Sequence, residues 1–314
     1  MKLLFFGTPQ FAVPTLEMLV AEKFAIELVV TNPDEPRGRG YAIQPSPVKQ
    51  VAERFDLALF QPAKLKDPGV RERLSQFHPD AAVVVAYGHI LPTWLIEIPK
   101  LGCINLHASL LPKYRGAAPI PWAIIHGEKK TGVTTMKIDA GMDTGDILLV
   151  RETEIHDGDT RPSLEERLSV MGAELMTETL RGLERGVIVP RAQDSSQSSV
   201  APMLKKADGK INWNWPAEEI ARRVRGVNPW PGAFSAFRGR AVQIRAARAA
   251  EISAFPPATG SPGGLAAMEG KLLVFCGDGR FLDIVELQPE GKKRMTAREF
   301  INGARLKPGE RFES

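Results

Sequence analysis

Cysteine is scarce in this 314-residue chain: Cys103 and Cys276 are the only two, far apart and in no CxxC pair. That argues against a disulfide scaffold and for a reducing, cytoplasmic setting. Long apolar runs are lacking too. The opening MKLLFF is broken at once by Gly7, Thr8 and Pro9, too early for a signal-peptide core or a bilayer span, so no membrane is expected. No GxGxxG or Walker A pattern follows that first run, which disfavours dinucleotide oxidoreductases and P-loop enzymes. Metal ligands are equally sparse. His89, Cys103 and His107 form no clustered quartet, and a strand would bring Cys103 and His107 to one face only at long separation, so no metal is expected.

What is present describes a globular chain, 43% hydrophobic and long enough for about two domains. The net charge of +4 is unevenly placed. From Lys206 onward there are 18 Lys/Arg against 12 Asp/Glu, a surplus of 6, and the earlier part carries −2. A basic second half suits a polyanionic partner, although an ordinary solvated surface explains it equally well.

Short apolar runs at 3–6, 26–30, 81–86 and 103–106 read as buried strands, and 133–138 and 147–155 as later ones. Between them, 11–21 and 47–55 are amphipathic, and 163–185 reads as a long helix capped by Ser163 with Glu165 and Glu166 in its first turn. This alternation predicts an α/β, Rossmann-like domain with a mostly parallel sheet over 1–189. The Ser-rich stretch within 190–206 reads as a linker. Beyond it, over 207–314, a helix at 217–225 and short strands near 242–247, 271–275 and 281–287 predict a small OB-like β-barrel, with 256–264 as an exposed loop. Residues 31–46, with Pro33, Pro36, Gly38 and Gly40, are predicted to be a long functional loop without regular structure.

The strongest local signal runs from Cys103 to Gly116, CINLHASLLPKYRG. Residues two apart on a strand share a face. Asn105 and His107 therefore point together at the carboxyl end of a strand, where open α/β sheets bind ligands. An amide donor beside an imidazole suits acyl transfer, one stabilising an oxyanion and the other handling a proton. A histidine merely bonded to its neighbours is equally compatible with the spacing. The second signal, Asp139-Ala-Gly-Met-Asp-Thr-Gly-Asp146, is either a tight loop presenting carboxylates or a solvated turn.

Taken together, these residues resemble the methionyl-tRNA formyltransferases. The matching stretches are Phe6-Gly-Thr-Pro-Gln-Phe-Ala-Val-Pro14, Gly38-Arg-Gly40, Pro45-Ser-Pro-Val-Lys49 and Ala86-Tyr-Gly-His-Ile-Leu91. They continue with Asn105-Leu-His107, Ser109 to Ile120, Met142-Asp-Thr-Gly145 and Asn228-Pro-Trp-Pro-Gly232, in the family's order over nearly the whole chain. The resemblance implies 10-formyltetrahydrofolate as formyl donor, initiator methionyl-tRNA as acceptor, and a monomer. It implies catalysis by Asn105, His107 and Asp143, and folate contacts from Ser109, Leu110, Leu111, Pro112, Tyr87, Ile90, Asp139 and Gly141. Arg39 would enter the acceptor-stem end of the tRNA, Phe11 would border the methionine pocket, and Lys206 and Arg222 would contribute to tRNA affinity, with Lys205, Arg223, Arg225 and residues 292–294. The segment Tyr41-Ala-Ile43 departs from the lysines of many relatives. Fewer cations neutralise fewer phosphates, while Tyr41 offers a ring for stacking. The alternatives are a formyltransferase acting on an amino sugar nucleotide and a non-catalytic tRNA-binding protein.

Overall fold

The computed structural model describes residues 1–37, 42–250 and 260–313. Arg39, Tyr41 and part of the expected 256–264 loop lie outside the described residues. The chain divides into two compact units. The first comprises Met1–Pro119, Lys130–Glu154 and Glu165–Ala201, and the second Ile120–Lys129, Ile155–Leu164 and Pro202–Ser314.

The strands of the first unit are β1 (Lys2–Gly7), β2 (Ala25–Val30), β3 (Glu35–Arg37), β4 (Ala42–Gln44), β5 (Leu59–Phe60), β6 (Ala81–Val85), β7 (Cys103–His107), β8 (Lys130–Lys137) and β9 (Ile147–Glu154). Seven of them make one sheet in the order β5-β2-β1-β6-β7-β8-β9. Pairing is parallel from β5 to β7 and antiparallel through β8 and β9. All five residues of β6 and the last five of β1 are buried, as strands covered on both faces require. The chain moves outward from β1 to β2 and β5, then returns to the other side of β1 as β6. Ligand crevices form at such a reversal, outside the carboxyl ends of the strands.

Helices α1 (Val13–Ala21) and α2 (Pro47–Arg54) follow β1 and β4; α3 (Pro68–Ser75) and α4 (Thr93–Ile96) follow β5 and β6. Ser46 caps α2 by accepting from Lys49 N at 3.1 Å, with Pro47 pre-set for the first helical position. Within the stretch expected to lack regular structure, β3 and β4 pair in an antiparallel ribbon, Glu35 opposite Gln44. A two-stranded ribbon leaves outward amide positions unpaired, which accommodates Pro36. The base of this segment is clamped. Asp34 accepts from Lys49 Nζ at 2.5 Å and Gln61 Nε2 at 2.8 Å, and those bonds hold its carboxyl below the usual carboxylate range.

Helix α5 spans Pro119–His126 and α6 spans Arg161–Glu184. α6 starts two residues earlier than predicted. Thr160, not Ser163, caps it: Ser163 N donates to Thr160 Oγ1, while Thr160 N donates back to Ser163 Oγ at 3.0 Å. Glu165 and Glu166 thus fall outside the first turn. The expected linker is also anchored within the first unit. Arg191 exchanges backbone bonds with Ile147 at 2.8 and 2.9 Å, and Ala201 N donates to Arg115 O at 2.7 Å.

The second unit holds α7 (Ala217–Val227), β10 (Ala233–Phe237), β11 (Arg240–Ala249), β12 (Leu265–Met268), β13 (Lys271–Phe275), β14 (Phe281–Pro289), β15 (Met295–Thr296) and α8 (Ala297–Ala304). The described strands form an antiparallel sheet in the open order β10-β11-β14-β13-β12, with β15 beside β14. The expected barrel is therefore OB-like but not closed by strand pairing. Its two edges are instead bridged by the last residues, Glu313 to Ala236 and Arg311 to Gly264. Fully buried Phe312 stacks on Trp213 at 5.5 Å, and Trp213 Nε1 donates to Ser235 Oγ at 3.0 Å. Burying a tryptophan with its N–H satisfied gives this small sheet a core.

Candidate active site

β7 ends at the site. Its partner β6 aligns Val84 with Asn105, and antiparallel β8 aligns Met136 with Asn105 and Thr134 with His107. Asn105 and His107 share a face, as their spacing predicts. The Asn105 amide is half-buried and has no hydrogen-bond partner among the described residues, so its N–H groups are available to a ligand.

His107 is 5% exposed. Its Nε2 lies 2.8 Å from Tyr114 O. A carbonyl oxygen only accepts, so Nε2 carries the hydrogen, and Nδ1 is the nitrogen left to take a proton. Nδ1 faces Asp143 Oδ2 at 3.6 Å, an ion-pair distance rather than a direct hydrogen bond. Asp143 Oδ2 also accepts from Gly116 N at 2.8 Å. Gly116 adopts φ +114°, and a Cβ there would approach Ala201 O to 2.9 Å, so only glycine fits this crossing. Asp143 itself has φ +53°, a left-handed conformation that aspartate tolerates better than most residues.

The loop after β7 is tied to β8 by Thr134, whose Oγ1 donates to Ser109 O at 2.7 Å and accepts from Leu111 N at 3.2 Å. Ser109 is buried, and its Oγ donates to Lys113 O at 2.6 Å. Leu111 packs with Met136 and Ile147, Leu110 is half-buried, and Pro112 is half-buried after a cis Leu111–Pro112 bond. Asp139 Oδ1 accepts from Gly141 N at 2.9 Å and Thr144 Oγ1 at 2.7 Å, tying the residue after Asp143 back to the start of the loop. Ile90 is 88% exposed. Tyr87 is buried. Its ring packs in the core against Phe6 at 5.5 Å, and burial pushes its hydroxyl up to about 12. Phe11 is buried like a core residue. Burial also pushes the Cys103 thiol up to about 12, which makes it inert.

Among the described residues no group of three or more His, Cys, Asp or Glu could hold a metal, and no helix is long and apolar enough to cross a membrane.

In the second unit the basic residues divide into two sets. Arg222, Arg223 and Arg225 are half-buried and donate to Ile125 O, Asp208 O and Asp159 O at 3.4, 3.2 and 2.7 Å. Burial lowers the pKa of Arg223 and Arg225. Lys205, Lys206, Lys292 and Lys293 are exposed, and Arg294 pairs with Glu286.

Sequence reading did not single out Thr134, Gln193 or Ser199. A threonine buried in an apolar strand was the available signal for the first. Gln193 and Ser199 sit in a polar stretch with no local sign of what they touch.

Two family models and several known proteins match this chain. Residues 1–180 match the formyl transferase family model, and residues 203–305 match the model for the formyl transferase C-terminal domain. A methionyl-tRNA formyltransferase of Koribacter versatilis (strain Ellin345) is 53% identical over 97% of this chain and 96% of its own. One from Thermodesulfovibrio yellowstonii is 50% identical over 98% and 97%. Among solved structures, an N-formyltransferase from Helicobacter canadensis, in complex with folinic acid and dTDP-3-aminofucose, superposes with a TM-score of 0.69. It is 19% identical over 92% of this chain and 99% of its own, a likeness of fold.

Proposed function

This chain belongs to the methionyl-tRNA formyltransferase family, and from that premise we propose that it transfers the formyl group of 10-formyltetrahydrofolate to the α-amine of initiator methionyl-tRNA. The observation that carries the chemistry is His107, fixed by Tyr114 O and facing Asp143, on one strand face with the unpartnered amide of Asn105. The amine nitrogen attacks the formyl carbon, and the carbonyl oxygen becomes a tetrahedral oxyanion. Asn105 donates to that oxygen. The amine loses a proton, with Nδ1 of His107 as the acceptor position, and the resulting imidazolium is stabilised by the Asp143 carboxylate. Collapse re-forms the carbonyl and breaks the bond to N10 of the folate, which takes up a proton as tetrahydrofolate leaves. An α-amine next to an ester is weakly basic, so positioning and charge stabilisation matter more here than a strong base.

The folate lies along Ser109–Pro112, with the pterin at the segment carrying Tyr87 and Ile90 and at the Asp139–Gly141 turn. Apolar Leu110 and exposed Ile90 support this reading. Phe11 borders the methionine side-chain pocket. Arg39 reads the acceptor-stem end, and the exposed lysines of the second unit, Lys206 among them, attract the phosphates, with Arg222 bracing that surface. The catalytic role thus falls to the first unit and tRNA affinity to the second, acting in the cytoplasm as a monomer without metal.

The test is purified protein with 10-formyltetrahydrofolate and charged initiator or elongator methionyl-tRNA. Formylation of the initiator alone is expected. Equal rates on both would refute the specificity, and transfer to an amino sugar nucleotide instead would refute the acceptor.

A further inference from the structure

Residues 191–201, whose composition suggests a tether, form a strap across the two loops that carry Asp143 and Tyr114. The strap is pinned at both ends by the backbone, Arg191 to Ile147 and Ala201 to Arg115. Asp194 caps a short helical turn in its middle by accepting from Ser196 N at 3.0 Å. Along 191–200 only Gln193 and Ser199 are half-buried; the other eight residues are exposed. Both inward side chains bond to the candidate active-site loops. Gln193 Nε2 donates to Asp143 O at 2.9 Å and to Gly145 O at 2.7 Å. Its Oε1 accepts from Arg115 Nε at 3.1 Å and Arg115 Nη2 at 2.8 Å. Both N–H groups and both lone pairs of the amide are therefore used, which fixes its orientation. Ser199 Oγ accepts from Tyr114 N at 2.9 Å, one residue's backbone away from the carbonyl that binds His107.

We infer that Gln193 is a positioning residue for formyl transfer, locking the Asp143 loop and Arg115 in one geometry so that the carboxylate faces His107 Nδ1. This rests on the formyl-transfer reading above. Asp139 ties Gly141 and Thr144 together within the loop, and Gln193 adds two bonds from outside it, to the carbonyls on either side of Thr144. Asp143 sits at a left-handed backbone angle and stands 3.6 Å from Nδ1, near the limit of an ion pair. A small displacement there weakens the pairing, and misplacement by about 1 Å is enough to slow a positioned reaction severely. The strap is part-exposed, so loss of the amide leaves the two carbonyls to water and the fold intact.

The experiment compares full-length wild type, Gln193→Ala, Gln193→Glu, Asp143→Ala and the Gln193→Ala/Asp143→Ala double variant, using 10-formyltetrahydrofolate and methionyl-tRNA. We expect Gln193→Ala to lower kcat about tenfold with KM for tRNA within about twofold of wild type. The double variant is expected to be no slower than Asp143→Ala alone, because the two residues act as one unit. Gln193→Glu keeps an acceptor for Arg115 but has no N–H for the loop carbonyls, so it matches the alanine variant. Should Gln193→Ala fail to fold, Gln193→Glu decides by the same criteria. Turnover of Gln193→Ala within twofold of wild type, an additive double variant, or full activity in Gln193→Glu overturns the inference. A wild type inactive on methionyl-tRNA overturns the formyl-transfer reading and this inference with it; an active wild type with an unaffected Gln193 variant overturns only this inference.

Discussion

In the first unit, polar groups around His107 bond to one another on nearly every side: Tyr114 O, Asp143, Gly116 N, Gln193 and Ser199 form one connected set. In the second unit the exposed lysines at 205, 206, 292 and 293 project into solvent, whereas the arginines of α7 bond to backbone carbonyls of the fold. The contrast matches the two tasks proposed for the units. Charge stabilisation at a reacting carbon depends on fixed geometry, whereas attraction to a phosphate chain depends on how many cations are present. Substitutions in the two regions should therefore fail in different ways.

The largest effect is expected at β7 and its partner loop. Asn105→Ala and Asp143→Ala should each lower kcat by about a hundredfold or more with the melting temperature little changed. Near-normal turnover in either variant would remove that residue from the chemistry. Next comes Arg225→Ala. Its guanidinium donates to Asp159 O within the fold, so the cost should be stability, about 1–2 kcal/mol by denaturant unfolding. A stable Arg225→Ala protein with a raised KM for tRNA would instead put Arg225 on the binding surface. Smaller still is the Lys205→Ala/Lys206→Ala pair, expected to raise KM for tRNA about two- to fivefold, flatten its salt dependence and leave kcat and melting unchanged. The smallest effect is salt itself. From low to moderate salt, kcat at saturating tRNA should hold while kcat/KM falls; a flat kcat/KM would end the electrostatic account of the second unit.

Much of the fold was readable because buried strands and amphipathic helices write their period into the chain. The runs at 3–6, 26–30, 81–86 and 103–106 became β1, β2, β6 and β7, with differences of a residue or two at the ends. The weaker elements were not readable. β5 has two residues, and β3 and β4 have three each, too short to carry a period. α6 was read with the wrong cap because Thr160 and Ser163 both have hydroxyls suited to the position, and only the backbone shows which one precedes the first turn. The short strands of the second unit mark an OB-like domain, but strand count does not reveal that its sheet stays open and that residues 311–313 bridge its edges.

The candidate site divides the same way. The sequence by itself determined that Asn105 and His107, two apart on a strand, share a face, while the choice of Asp143 from the Asp139–Asp146 loop came from the family resemblance. Tertiary structure decided which histidine nitrogen is free, through the Tyr114 carbonyl at Nε2. It also decided that Tyr87 is core, that Arg222, Arg223 and Arg225 bond to backbone carbonyls, and that a serine-rich stretch is a strap over the site. The physical reason is range. Periodicity and residue type act between neighbours in the chain, but Gln193 meets Asp143 across 50 residues, and no local pattern encodes such a contact.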